Sequence, residues 1–256
     1  MQRFVALGAS NLARGLLAFA DAARAAAGGP VVIAAALGRG RSYGVRSRLL
    51  GRELTSIGDC GLWPALAAAA ATTANGELRY AAALLMDVGN DILYGFEPDT
   101  ILGWVDRALQ RLRLVAARCV VAGLPLASMR RLGRLRFVLV RSVLVPSCRL
   151  SLATVVARAE RVDDGLRTLA ARHRAEFRPL PADWYGFDPV HFRASRQRRA
   201  FAALLDVHSA PPPPRIDTLA LRCGGLCLAT ELRSWSARAR RAGPLRLRDG
   251  STIELH

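Results

Sequence analysis

Residues 1–208 show two recurring patterns of apolar side chains, which indicate strands and helices in alternation. Short runs made mostly of apolar residues occupy residues 3–8, 30–37, 80–88, 118–124 and 177–180. Runs of this length without polar alternation are typical of strands that are covered on both faces, as in a parallel sheet. The pattern therefore predicts about five parallel strands.

Longer segments between these runs place apolar residues three or four positions apart, which is the spacing of amphipathic helices. The clearest examples are residues 11–23, 98–115 and 151–174. Alternating strands and helices predict a three-layer α/β/α sandwich with a short parallel sheet and right-handed crossovers. In such folds ligands bind outside the carboxyl ends of the strands, so we expect the functional residues at that edge.

The composition changes after residue 208. Residues 210–214 read Ala-Pro-Pro-Pro-Pro, a stiff segment that fits neither a helix nor the middle of a sheet. Further on, two alternating stretches flank Asp249-Gly250, which is typical of a β-hairpin.

These features predict three parts of the chain. They are an α/β domain over residues 1–208, a proline-rich linker over 209–214 and a small β-rich C-terminal extension over 215–256. The sequence leaves open whether the extension covers a sheet edge or contacts a partner.

Composition indicates a globular protein with a sizeable core. The chain has 256 residues, of which 52% are hydrophobic and 22% charged, and this excludes disorder, collagen and disulfide miniproteins. The five cysteines are scattered and show no zinc-ligand spacing, so we expect free thiols in a reducing compartment and no metal. The longest uncharged run, 60–76, contains Pro64 and many alanines, so we predict no transmembrane segment and a cytoplasmic protein.

The formal net charge of +17 is the one feature that favours a polyanionic partner. All 37 basic residues are arginine, lysine is absent, and alanine runs are frequent. Codon bias in a GC-rich genome produces this combination, and no nucleic-acid-binding motif accompanies the charge. We therefore expect no specific nucleic-acid partner.

Three loops at predicted strand ends carry polar side chains suited to hydrolysis. Ser10 follows the first strand, Asn90 follows the third, and Asp188 stands three residues before His191 ahead of the last predicted helix. Each alone has an ordinary explanation, since serine caps helices and Gly-Asn-Asp forms turns. Together they supply a nucleophile, a base, a group that orients the base, and an oxyanion donor.

With these motifs in this order, the chain resembles the SGNH (GDSL-type) hydrolases, a family of single-domain α/β esterases and lipases. The family's serine matches Ser10, its asparagine matches Asn90, and its Asp-x-x-His motif matches Asp188 and His191. The resemblance covers residues 1–208 and implies a flavodoxin-like α/β/α fold.

The resemblance also implies an oxyanion hole built from three groups. They are the backbone N–H of Ser10, the backbone N–H of a glycine after the second strand, and the side-chain amide of Asn90. Gly38 directly follows that strand and is our choice for the glycine, with Gly40 close behind it.

Two positions depart from the family pattern. Ala9 stands where the family has the aspartate of Gly-Asp-Ser, which leaves open whether Asn11 compensates. Val88 stands where a glycine is common, which predicts a narrower cleft floor. The α/β-hydrolase fold is disfavoured, because its nucleophile elbow needs glycine two residues after the serine and this chain has Leu12 there.

The resemblance implies a serine hydrolase that cleaves carboxylic (acyl or acetyl) esters through an acyl-enzyme on Ser10, without a cofactor. A small-molecule, glycan or lipid ester is the expected substrate, and the oligomeric state does not follow from the sequence. The alternative is an inactive scaffold of this fold that binds a ligand or a polyanion. The glycine-rich residues 38–44 are consistent with this alternative, because the side chains of Arg41, Ser42 and Tyr43 are placed to shape a site for an anionic group.

Overall fold

A computed structural model describes residues 1–49, 52–71, 80–207 and 244–256. The strands are β1 (Gln2–Leu7), β2 (Val31–Ala36), β3 (Ser47–Leu49), β4 (Arg52–Leu54), β5 (Tyr80–Leu85), β6 (Ala116–Ala122), β7 (Glu176–Arg178), β8 (Leu245–Arg246) and β9 (Thr252–Leu255). The α-helices are α1 (Ser10–Ala27), α2 (Leu62–Ala71), α3 (Asn90–Leu93), α4 (Pro98–Arg113), α5 (Leu126–Met129), α6 (Arg134–Leu144), α7 (Leu152–Arg172) and α8 (Gln197–Leu204).

The main sheet contains the predicted strands β1, β2, β5, β6 and β7, which lie parallel to one another. Its strand order is β7-β6-β5-β1-β2-β9-β8. Because the central strands run in the same direction, the loops that follow β1, β2, β5 and β6 meet at one edge of the sheet.

Both faces of the sheet are covered by helices, which confirms the predicted three-layer α/β/α architecture. On one face α1 and α8 meet through Phe19 and Phe201, whose ring centroids lie 5.9 Å apart. On the other face α4 and α7 bury Val105 and Leu166 against the sheet. No helix within the described ranges combines the length and apolar character needed to cross a membrane.

The strand β1 shows why the apolar runs lack alternation. Phe4 and Ala6 face the layer of α1 and α8, whereas Val5 and Leu7 face the layer of α4 and α7. Successive side chains of a strand point to opposite faces, so a strand between two helical layers is apolar at every position.

The predicted C-terminal hairpin forms and extends the main sheet from five strands to seven. β9 lies parallel to β2, with Ile253 opposite Ile33, and β8 pairs antiparallel with β9. The hairpin turns at Gly250, whose φ of 86° favours glycine. The hairpin therefore covers the sheet edge at β2, while the predicted linker at 209–214 lies outside the described residues.

The helix α6 was not predicted. Phe137 on this helix is buried, yet Leu135 and Leu139 on other sides of it are 77% and 56% exposed. A segment with apolar residues all round has no amphipathic period, so its sequence gives no helical signal.

Shortening Ile253 tests whether the hairpin belongs to the main core. Ile253 is 2% exposed and packs in the same cluster as Ile33, so Ile253→Ala should lower the free energy of unfolding by about 2–5 kcal/mol. Leu245→Ala, at a residue 39% exposed in the same hairpin, is the control and should change it by less than about 1 kcal/mol. Urea unfolding followed by circular dichroism measures both, and equal effects would contradict the packing of β9 on the sheet.

Candidate active site

Ser10, His191 and Asp188 form a continuous hydrogen-bonded chain at the carboxyl edge of the sheet. His191 Nε2 lies 2.8 Å from Ser10 Oγ, and His191 Nδ1 lies 2.5 Å from Asp188 Oδ2. The imidazole thus contacts the serine hydroxyl through one ring nitrogen and the carboxylate through the other. This geometry allows proton transfer from the serine hydroxyl to the imidazole.

The carboxylate of Asp188 is held ionised by its neighbours. Its Oδ1 accepts the backbone N–H groups of Val190 and His191 at 3.1 and 3.2 Å, and Arg14 lies 4.0 Å from Oδ2. Burial acts to raise the pKa of Asp188, but the hydrogen bonds and the charge of His191 outweigh it and lower the pKa below its usual value. An ionised Asp188 stabilises the imidazolium that forms when His191 takes a proton.

Asp87, which follows β5, holds the loop that carries Ser10. Its Oδ2 accepts the backbone N–H groups of Ala9, Asn11 and Leu12 at 2.9, 3.0 and 3.1 Å. Amides at a helix N-terminus need acceptors and attract negative charge, and the N-cap Ala9 provides no side-chain acceptor for α1. Among these consecutive amides, that of Ser10 has no acceptor within the described residues, which leaves it available to a substrate oxygen.

Asp87 therefore supplies the carboxylate that is missing at Ala9. It does so from a left-handed backbone with φ of 64°, a conformation that aspartate tolerates better than most residues. Asp87 was not among the site residues predicted from the sequence. Its position at the end of a strand next to the nucleophile strand was the one available signal.

Asn11 ties the nucleophile loop to the loop that carries the base. Its Nδ2 donates to Asp87 Oδ1 at 2.8 Å and to the carbonyl of Val190 at 2.9 Å, and its Oδ1 accepts the N–H of Phe192 at 2.8 Å. Every hydrogen-bonding capacity of the amide nitrogen is used in these contacts. Asn11 thus complements Asp87 and fixes the separation between Ser10 and His191.

Asp91 accepts hydrogen bonds from the glycine-rich loop after β2, as Asp87 does from the loop that carries Ser10. Ser42 donates its hydroxyl to Asp91 Oδ1, and Tyr43 donates its backbone N–H to Asp91 Oδ2 at 3.0 Å. Burial raises the pKa of Asp91 to about 6, although both hydrogen bonds act to lower it. The loop that carries Gly38 and Gly40 is thereby fixed to the loop that carries Asn90.

The prediction that the side chains of the glycine-rich loop at 38–44 shape an anion site is wrong. Arg41 is 4% exposed, and its guanidinium donates to the carbonyls of Leu37, Thr55 and His256 at 3.0, 2.8 and 2.7 Å. Ser42 and Tyr43 are buried as well, and both hydroxyl groups have partners inside the protein. Because none of the three side chains is free, they do not shape a pocket for an anion.

A cavity of about 380 Å³ opens at the candidate nucleophile. Ser10, His191, Asn90 and Gly40 line it, whereas Gly38 does not. A Cβ atom built on Gly38 would meet Leu54 at 2.8 Å, so Gly38 faces the side of β4. Gly40 is therefore the glycine of this loop that lies next to Ser10 and Asn90.

The second departure from the family pattern does not alter the cavity. Val88 is fully buried in the core beneath α4 and does not line the cavity. The predicted narrowing of the cleft floor is therefore wrong, because the side chain points into the hydrophobic layer.

The fold and this geometry define a class, the α/β/α proteins in which a serine after the first strand is hydrogen-bonded to a His–Asp pair. No family profile and no curated protein match the sequence. Among solved structures, the inhibitor-bound aryl esterase of M. smegmatis is similar with a TM-score of 0.53 and 13% identity, over 80% of this chain and 97% of that one.

Two further solved structures are similar at lower scores. The psychrotrophic esterase EstA from Pseudoalteromonas sp., inhibited by monoethylphosphonate, has a TM-score of 0.49 and 11% identity over 80% of this chain and 97% of its own. The extracellular lipase from Streptomyces rimosus has a TM-score of 0.42 and 15% identity over 82% of this chain and 100% of its own. At such identities the comparison with the aryl esterase shows the fold alone, and this fold agrees with the predicted three-layer α/β/α sandwich.

Replacing Asp87 by asparagine tests its support of the nucleophile loop. Asp87→Asn keeps the shape of the side chain but replaces one acceptor oxygen by an NH₂ donor. If that oxygen is Oδ2, the backbone amides of Ala9, Asn11 and Leu12 lose their acceptor, and if it is Oδ1, the side chain of Asn11 loses its acceptor. We expect the free energy of unfolding to fall by about 1–3 kcal/mol in urea titrations. Asp183→Asn, at an exposed carboxylate 4.0 Å from Arg199, should change it by less than about 0.5 kcal/mol. A loss no larger than this control would refute the role of Asp87.

The raised pKa of Asp91 predicts a pH dependence of stability. The folded protein binds this proton more tightly than the unfolded chain, so the free energy of unfolding falls as the pH rises from about 4 to 6 and then levels off. A shift from 3.8 to about 6 corresponds to a change of order 3 kcal/mol. Asp91→Asn, which does not titrate, should lose this part of the slope in urea titrations across pH 4–7. Parallel pH profiles for the two proteins would contradict the burial of an ionisable Asp91.

Proposed function

We propose that this protein is a serine hydrolase that cleaves carboxylic esters through an acyl-enzyme on Ser10. The observation that carries the proposal is the chain of contacts from Ser10 through His191 to Asp188, which opens on a cavity. A serine that caps a helix needs neither a histidine on its hydroxyl nor a carboxylate behind that histidine. Ester hydrolysis uses each of these groups.

The first half of the reaction forms the acyl-enzyme. His191 Nε2 accepts the proton of Ser10 as its Oγ attacks the ester carbonyl carbon, giving a tetrahedral oxyanion. The oxyanion then collapses, the bond from carbon to the alcohol oxygen breaks, and His191 returns the proton to the departing alcohol. Asp188 remains ionised and stabilises the imidazolium during both transfers.

The second half hydrolyses the acyl-enzyme by the same groups. His191 takes a proton from water, whose oxygen attacks the acyl carbonyl, and the collapse of the second oxyanion releases the carboxylic acid. The proton on His191 returns to Ser10 Oγ. No cofactor takes part in this proposal.

The proposed oxyanion donors are the backbone N–H of Ser10, the backbone N–H of Gly40 and the side-chain amide of Asn90. We favour Gly40 over Gly38 because Gly40 lines the cavity beside Ser10. Tyr94 supports this loop by donating its hydroxyl to the carbonyl of Gly40 at 2.5 Å. Each such donor contributes roughly 10²- to 10³-fold to the rate in comparable sites.

The alternative, an inactive scaffold that binds a polyanion, is not favoured by any specific observation. Its support in the sequence was the net charge of +17 and the arginine in the glycine-rich loop, and Arg41 is bound to three backbone carbonyls. We infer that the substrate is a small-molecule or lipid ester. A cytoplasmic location and the lack of a specific nucleic-acid partner stay predictions from the sequence.

Labelling with a fluorophosphonate tests the proposed nucleophile. We expect one covalent adduct per chain, located on Ser10 by intact mass and peptide mapping, together with hydrolysis of p-nitrophenyl acetate. Ser10→Ala removes the oxygen that would be labelled, and His191→Ala removes the base, so both should abolish labelling while the circular dichroism spectrum is unchanged. A folded wild-type protein that is not labelled, or an adduct on another serine, would refute the proposal.

A further inference from the structure

The cavity continues from the candidate nucleophile into the space between α5, α6 and α7. Its polar end is formed by the residues of the candidate site. Its inner wall is formed by apolar side chains of the helices and of the segments beside them, namely Leu124, Met129, Phe137, Val145, Leu152 and Val155. Most of these side chains are buried, and Phe137 and Val155 are 7% and 2% exposed.

The charged group on the inner wall has partners inside the protein. Arg141 on α6 lines the cavity, donates to the carbonyl of Leu150 at 3.1 Å and lies 5.7 Å from the ring centroid of Phe137. Its charge is therefore satisfied in part by the wall itself. A sugar or another polar group in this inner space would lose hydrogen bonds to water, whereas an alkyl chain would gain from burial.

We propose that this inner cavity binds the acyl chain of the substrate, and that the preferred acyl group is an alkyl chain longer than acetyl and limited in length by the cavity of about 380 Å³. The inference rests on the proposed function, because the ester carbonyl carbon must lie at Ser10 Oγ at the start of the cavity. Any group that fills the inner space is then attached directly to that carbon.

The order of product release assigns the cavity to the acyl side of the ester. The alcohol leaves first and needs a path to solvent, which the mouth of the cavity beside Arg14 and Arg39 provides, since Arg39 is exposed and the Arg14 side chain is 40% exposed. The acyl group must stay bound until water has hydrolysed the acyl-enzyme. A buried apolar site suits the group that stays.

Chain length at a constant leaving group tests the proposal. We expect kcat/KM for straight-chain p-nitrophenyl esters to rise roughly fourfold with each added methylene from acetate onward and to stop rising when the cavity is full. Acetate esters of straight-chain alcohols, which lengthen the other side, should show no such rise. A rise with alcohol length and none with acyl length would overturn the proposal.

A matched pair of variants on α6 locates the effect in the cavity. Val140 lines the cavity, so Val140→Trp should remove the rise with acyl length, which is measured as the ratio of kcat/KM for hexanoate to kcat/KM for acetate within the same protein. Val138 is 44% exposed on the same helix and does not line the cavity, so Val138→Trp should behave like wild type. Equal chain-length profiles in all three proteins would also overturn the proposal.

The outcomes separate this inference from the proposed function. Hydrolysis of acetate together with a flat acyl-chain series overturns the inference and leaves the serine hydrolase in place. Absence of both hydrolysis and fluorophosphonate labelling in the folded protein refutes the serine hydrolase, and the acyl-chain site with it.

Discussion

The geometry of the candidate site depends on the carboxylate of Asp87. A helix that begins directly at a nucleophile presents several unpaired amides, and only some can be left for substrate. One oxygen of Asp87 accepts three of these amides and the other accepts the side chain of Asn11. The carboxylate thus fixes the start of α1 and at the same time leaves the amide of Ser10 without an acceptor among the residues that the structure describes. A capping side chain at position 9 would act within the loop, whereas Asp87 links it to the next strand.

Two further contacts extend this constraint across the carboxyl edge of the sheet. Asn11 joins the nucleophile loop to the backbone on both sides of His191, and Asp91 joins the glycine-rich loop to the helix that begins at Asn90. Arg41 links the same glycine-rich loop to the end of β9, because its guanidinium donates to the backbone carbonyl of His256. The loops therefore behave as one connected unit, and their relative positions are set by buried polar contacts rather than by apolar packing.

The high positive charge lies mostly outside the inner cavity. Arg14 and Arg39 line the mouth of the cavity, Arg141 on its wall donates to the carbonyl of Leu150, and Arg41 donates to backbone carbonyls behind the glycine-rich loop. The inner cavity is apolar because α6 and α7 face it with aliphatic and aromatic side chains. Charge on the outside and an apolar interior are compatible, since arginine carries its cation at the end of a long side chain.

The sequence by itself determined the five central strands and the three layers, and it indicated Ser10, Asn90, Asp188 and His191 as candidate residues that the structure places at one cavity. These follow from local patterns, because a strand covered on both faces is apolar throughout and a polar residue after it must lie at the sheet edge. The hairpin at Gly250 was also predicted from its turn, but its pairing with β2 was not, since a strand's partner is set by contacts distant in sequence.

The tertiary structure alone decided how the site is supported. Asp87 lies 78 residues from Ala9 in the sequence and supplies the carboxylate that position 9 lacks. No local sequence pattern predicts that these two positions meet. The position of Gly40, and not Gly38, in the cavity wall, the internal contacts of Arg41 and the helix α6 over the cavity likewise depend on contacts between separate segments. Sequence patterns report which face of an element is buried, whereas hydrogen bonds between loops are fixed only when the sheet brings those loops together.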